Sequence, residues 1–161
     1  LQRIADGRAG EAARDPAAMR GITSRWLREN GLTGESANAV ADRVQVAVEN
    51  ALGDEKGQWI VGGEGHSELA LSGIHNDELV SVVLDRVRID DDGSHWIIDY
   101  KTSSHEGGNL QGFLQAETER YRPQLERYAN IYSNWSGIEA RCALYFPLLT
   151  SFVEVNLARR S

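Results

Sequence analysis

The spacing of apolar side chains changes once along this chain, from a helical repeat to an alternation of two. After Asp15-Pro16, a cap followed by proline at the first helical position, Met19, Ile22, Trp26 and Leu27 recur at helical spacing until Gly31 stops the helix. A second helix is predicted from about Glu35 to Leu52, carrying Val40, Val44, Val46, Ala47 and Val48. Gly53, Gly57, Gly62, Gly63 and Gly65 then mark loops, with Gln58-Trp59-Ile60-Val61 as a short extended piece.

From Glu68 the period is two. Glu68 to Ile74 reads as a strand, His75 to Glu78 as a turn, and Leu79 to Ile89 as a long second strand. Asp90-Asp91-Asp92-Gly93 is a hairpin turn leading into a third strand, Ser94 to Tyr100. A polar loop from Ser103 to Asn109 follows, then a short helix over Phe113 to Glu119 and a firmer one opened by Pro123 and ending near Asn134. Arg141 to Phe146 and Phe152 to Leu157 are the last strands, parted by a turn at Pro147. The pattern predicts an α/β fold around a mixed sheet flanked by helices. A single domain is expected over 1–161, mainly helical over 1–57, with the sheet core over 58–161.

The bulk properties narrow the choices. A chain of 161 residues with 41% hydrophobic and 25% charged side chains has the balance of one globular domain. No apolar run approaches the ~18 residues that a membrane helix needs. Cys142 is the only cysteine, which excludes an internal disulfide and a cysteine-held zinc or iron–sulfur cluster, and fits a reducing, cytoplasmic setting. A net charge of -7 argues against a stand-alone DNA binder, although acids gathered at a metal site count toward that total. The opening Leu1-Gln2-Arg3-Ile4 reads as the middle of a helix, so the chain is expected to be a piece of a longer protein.

The chemistry concentrates at two strand ends. Alternate side chains of a strand share a face, so Asp99 and Lys101 point one way and Tyr100 the other. Asp85 lies on the preceding strand, on a face with Val83 and Val87, and the hairpin lets the two acids meet. A carboxylate on an apolar face needs a cation, an arginine or water. A salt bridge from Asp85 to Arg86 or Arg88 is an open alternative, as is a surface ion pair between Asp99 and Lys101. Taken together, Asp85, Asp99 and the backbone carbonyl of Tyr100 offer oxygen ligands suited to Mg²⁺ or Mn²⁺. Lys101 is then placed to orient or deprotonate an attacking water, an arrangement fit for phosphodiester hydrolysis.

Gln124 and Tyr128 share a helix face at i, i+4, beside an apolar stripe of Tyr121, Leu125, Tyr128 and Tyr132. Core packing accounts for Tyr128 as readily as function does, but Gln124 wants a polar partner: a phosphate, a base edge or Lys101. Arg120, Arg122 and Arg127 flank what reads as a helix start, where phosphate finds the positive dipole end, or else form a solvated face. Glu68 could reach the metal site, though a solvent-facing strand start is the simpler reading. His66, His75, His95 and His105 lie in turns or at strand ends and read as surface residues.

Leu84-Asp85-Arg86-Val87, Trp96-Ile97-Ile98-Asp99-Tyr100-Lys101-Thr102 and Tyr121-Arg122-Pro123-Gln124-Leu125-Glu126-Arg127-Tyr128-Ala129 follow one another in order. Together they resemble the nuclease domain of the exonuclease V beta-subunit group, the RecB/AddA-type helicase–nucleases of the PD-(D/E)XK superfamily. The resemblance covers roughly Glu68 to Tyr132. It implies a restriction-endonuclease-like fold at the C-terminal end of a superfamily 1 (UvrD/REP-type) helicase, acting with ATP-driven unwinding on DNA ends in repair and recombination. The helicase domains of the same parent chain and a second helicase–nuclease subunit are the implied partners. By motif position, Asp85 and Asp99 match the metal-binding acids, Lys101 the catalytic lysine, and Gln124 and Tyr128 the glutamine–tyrosine motif.

One departure stands out. The group carries a metal-binding histidine on a helix before the first strand, and no histidine here precedes His66. The chain is expected to begin a few residues after that position and, alone, to bind metal weakly. The competing reading is a catalytically silent nuclease fold used for DNA contact or subunit docking. The retained trio of Asp85, Asp99 and Lys101 favours catalysis.

Overall fold

The structure, a computed structural model, describes residues 16–157. The segment Leu1-Gln2-Arg3-Ile4 and the Asp15 cap lie outside the described residues. Helix α1 (Pro16–Glu29) ends before Gly31, whose φ of 84° lies in the left-handed region open to glycine. Leu27 is buried, while Ile22 and Trp26 are exposed. Helix α2 (Gly34–Gly53) buries mainly its small residues: Ala37 and Ala41 pack with Leu27, and Ala51 packs against the sheet.

Gln58-Trp59-Ile60-Val61 is helical, not extended. It forms most of α3 (Glu55–Val61), which starts where the Asp54 carboxylate accepts the Gly57 amide at 3.0 Å. Two glycines at its borders masked that start in the sequence. Gly57 is required there because a Cβ would collide with the carbonyl of Ala51 and the hydroxyl of Tyr145. The helical region therefore runs through Val61, past the expected boundary at 57.

A five-stranded sheet follows in simple spatial order: β1 (Glu64–His75), β2 (Glu78–Ile89), β3 (His95–Tyr100), β4 (Ala140–Phe146) and β5 (Ser151–Val155). β3 and β4 are parallel and every other pair is antiparallel, so the sheet is mixed, as expected. The parallel pair is joined by helix α4 (Leu110–Ser136), which crosses one face of the sheet. Leu125, Ile131 and Tyr132 of α4 pack there with Val87, Ile97, Cys142, Leu144 and Phe146. The opposite face, with Trp96, Ile98, Ala143 and Tyr145, is covered by Ala51 of α2 and Ile60 of α3.

Two expected helices are thus one. Asn109 caps α4 by accepting the Gly112 amide, the helix runs through Pro123, and Gly137 closes it at φ 75°. Pro123 removes one backbone hydrogen bond, to Glu119, and its ring lies on the exposed side. The face buried on both sides of it holds the helix together. Arg120, Arg122 and Arg127 consequently sit in mid-helix, away from any positive dipole end.

Candidate active site

The site forms where the sheet splits. β2 and β3 are paired only from Arg86↔Ile98 to Ile89↔His95. Beyond Arg86, β2 continues with β1, and β3 continues with β4 through Asp99↔Leu144 and Tyr100↔Tyr145. Asp85 stands at the fork. Its Oδ2 accepts the Tyr100 amide at 2.9 Å, supplying the acceptor that the departed ladder no longer offers.

The β1–β2 ladder is also interrupted at this level. Ser67↔Arg86 and Leu69↔Leu84 are paired, while Glu68 and Asp85 between them are not, and Glu68 has a φ of 51°, uncommon for a side chain of its size. Val82, Leu84 and Val87 all belong to the cluster beneath α4. The in–out alternation of β2 therefore reverses across Asp85 and Arg86. Val83 is exposed and Val87 fully buried, so Asp85 does not share one face with both, as strict alternation would have it.

Asp99 and Lys101 do lie on one side, as the period of two requires. Lys101 Nζ is 2.5 Å from Asp99 Oδ2, and both side chains are largely buried, which excludes a surface ion pair. The strand continues through the Lys101 amide, which donates to the Tyr145 carbonyl at 2.8 Å and fixes the base of the side chain. Arg86 and Arg88, the expected alternatives for Asp85, reach elsewhere. Arg86 donates to the carbonyls of Ile60 and Gly62 at the end of α3, and Arg88 pairs with Asp90 at 3.2 Å.

Helix α4 lays a row of side chains at 117, 121, 124 and 128 over the fork. Gln124 Nε2 donates to Asp99 Oδ1 at 3.0 Å and to the Tyr128 hydroxyl at 2.7 Å. The amide's partner is thus the acid rather than Lys101. Tyr121 instead meets the lysine, with its ring centroid 3.5 Å from Nζ. Glu117, buried, accepts from Ser103 Oγ at 3.3 Å and pairs with Arg120. Sequence reasoning gave Glu117 no role and Tyr121 only a place in an apolar stripe. Their spacing from Gln124 becomes informative only once α4 is seen to be continuous through Pro123.

The remaining candidates sit further out. Glu68 is exposed but faces Asp85 across the ladder, close enough that its charge helps raise the Asp85 pKa. Arg122 is turned to Glu119 and to the Asn156 carbonyl. His95 is half-buried, 2.6 Å from the Tyr132 hydroxyl, and His105 stacks on Phe113, so neither is the free surface residue expected.

Burial dominates the electrostatics. It pushes the Asp85 carboxyl up, against the opposing Tyr100 amide and Lys101 charge, with the neighbouring Asp99 carboxylate adding to the rise. Burial likewise raises Asp99, opposed by Lys101, and raises Tyr128, whose phenol also feels both acids. Two carboxyl groups raised by burial beside one ammonium mark the fork as a candidate functional site. Among the described residues no group of three or more His, Cys, Asp or Glu side chains stands ready to enclose an ion. Two carboxylates suit a hard ion that keeps several of its waters.

Residues 1–148 match the sequence profile of the PD-(D/E)XK nuclease superfamily. No curated protein matches the chain. With most of its length covered by that profile, the chain belongs to the PD-(D/E)XK nuclease superfamily.

Proposed function

We propose that this chain is the metal-dependent DNA nuclease domain of a helicase–nuclease of the exonuclease V beta-subunit type. Its proposed work is end processing in cytoplasmic DNA repair and recombination, alongside helicase domains of the same parent chain and a partner subunit. No helix among the described residues is long and apolar enough to cross a membrane. The observation that carries the reading is the convergence of Asp85, Asp99 and Lys101 at the fork, two acids raised by burial beside one ammonium.

Asp85 and Asp99, with the Tyr100 backbone carbonyl, are the proposed holders of Mg²⁺ or Mn²⁺. Such an ion supplies a more acidic bound water and a counter-charge for phosphate. The chain's own groups do the rest. Lys101, anchored by its strand, orients the attacking water and offsets charge that develops on the phosphoryl oxygens. Gln124 holds the Asp99 carboxylate in place through Oδ1, and Tyr128 holds Gln124, which keeps the acid from rotating. Glu68 is a peripheral acid in this scheme, and Arg122 braces the helix.

The test is cleavage of linear and circular DNA with Mg²⁺ or Mn²⁺ by the wild type, Asp99→Ala and Lys101→Ala. Metal-dependent cleavage lost in both variants supports the reading, and cleavage of linear DNA alone adds the exonuclease assignment. A folded wild type that binds DNA and cuts nothing with either metal replaces it with a silent docking fold.

A further inference from the structure

We infer that Tyr121 is a positioning residue for Lys101, a role that rests on the nuclease reading above. The Lys101 ammonium lies 3.5 Å from the Tyr121 ring centroid while it pairs with Asp99. An aromatic face carries negative quadrupole charge and attracts a cation at that distance, more strongly where water is excluded. The lysine side chain is largely buried here. Its long stem would otherwise sample many rotamers. Asp99 alone draws the ammonium toward the metal-binding carboxylate. The ring holds it from the side of α4, so the two together fix one position at the fork.

The helix supplies this ring by register. Tyr121 lies three residues before Gln124, and the two side chains divide the tripeptide between them, one on the lysine and one on the acid. The guanidinium of Arg120 also lies 5.3 Å from the same ring, at an exposed position. Tyr121 is half-buried at the margin of the main core, so packing alone could account for its apolar character. It is the cation over its face that packing leaves unexplained.

The chain contains only two lysines, Lys56 and Lys101, which makes the contact directly observable. In protein labelled with ¹³C at lysine Cε, Lys56→Arg leaves the Lys101 signal alone. The ring places its ε protons upfield in the wild type and in Tyr121→Phe, and they return toward the free-lysine position in Tyr121→Leu. In DNA cleavage, Tyr121→Leu and pentafluorophenylalanine at 121 lower kcat by about ten- to thirty-fold with KM and metal half-saturation little changed, whereas Tyr121→Phe stays near wild type. Pentafluorophenylalanine keeps the ring's shape and reverses its quadrupole, so it serves even if Tyr121→Leu unfolds. An unshifted Lys101 signal in the wild type, or unchanged kcat with the fluorinated ring, overturns the proposal. A wild type that cuts no DNA overturns the nuclease reading instead, and the lysine signal still decides whether the ring holds the ammonium.

Discussion

The Tyr100 amide donates to the Asp85 carboxylate at 2.9 Å at the point where β2 and β3 separate, so the acid proposed to hold metal also ties the sheet. The two duties come apart by mutation. Asp85→Asn retains an oxygen acceptor for the amide. Because burial already disfavours the Asp85 charge, the metal-free variant is at least as stable as the wild type at neutral pH. Its melting temperature should nonetheless cease to rise with Mn²⁺. Asp85→Ala strands the amide and loses about 1–3 kcal/mol as well. Thermal melts with and without Mn²⁺ separate these outcomes, and a full Mn²⁺ response in Asp85→Asn would remove Asp85 from the metal set.

Lys101 and Asp99 form a largely buried ion pair, and such pairs are costly to break from one side. Lys101→Met leaves the Asp99 carboxylate without its ammonium and should cost about 3 kcal/mol or more in urea unfolding at neutral pH. Adding Asp99→Asn removes the stranded charge and should recover most of that loss. Acidification should also rescue Lys101→Met, because Asp99, already raised by burial, takes up a proton more readily once Lys101 is gone. If the double variant is no more stable than the single one, the pair is not coupled as described.

Arg86 follows Asp85 but serves the other side of the sheet. It is fully buried, and its guanidinium donates to the carbonyls of Ile60, Gly62 and Gly63 at 3.0, 3.1 and 3.3 Å, tying the end of α3 to β2. These distances need a planar fork, which a lysine cannot supply. Arg86→Lys should lose about 2–3 kcal/mol. The urea midpoint should fall while the denaturant slope is unchanged. Cleavage below the melting transition should change little. A larger loss of cleavage than of stability would place Arg86 in the site rather than beneath it.

The legible parts of this chain were those governed by local period. The alternation from Glu68 to Tyr100 gave the second and third strands nearly to the residue and put Asp99 and Lys101 on one side, while the first strand starts four residues early, at Glu64, through Gly65 and His66 that read as loop. Three features depended on long-range packing and were not legible. Trp59 and Ile60 lie in a helix because Asp54 caps it and the sheet receives Ile60. Pro123 interrupts the hydrogen bonds of α4 but not its buried face. The reversal of alternation at Asp85 arises from the fork between strands, and the run Val82-Val83-Leu84, apolar on both faces, conceals it in the sequence. The contacts of Gln124 with Asp99 and of Tyr121 with Lys101 required all three to be in place.

Cys142 reports on the integrity of that packing. Its thiol lies beneath α4, and burial pushes its pKa from 9.0 up to about 12. The Tyr145 phenol on the opposite face is also raised, by burial first and then by nearby Asp54. In the unfolded chain the thiol releases its proton near its ordinary value, so above about pH 9 the folded state binds more protons than the unfolded one. Stability from this group is therefore fully present below about pH 9 and falls as pH rises toward the folded value. Urea midpoints should decline as pH rises above about 9, and Cys142→Ala should flatten part of that decline, leaving the share due to Tyr145, which sets in near pH 10. At neutral pH the native thiol should resist alkylation that proceeds at once in urea. Rapid native alkylation would mean that α4 does not cover the sheet as described. The contacts of Gln124 and Tyr121 at the fork would fall with it.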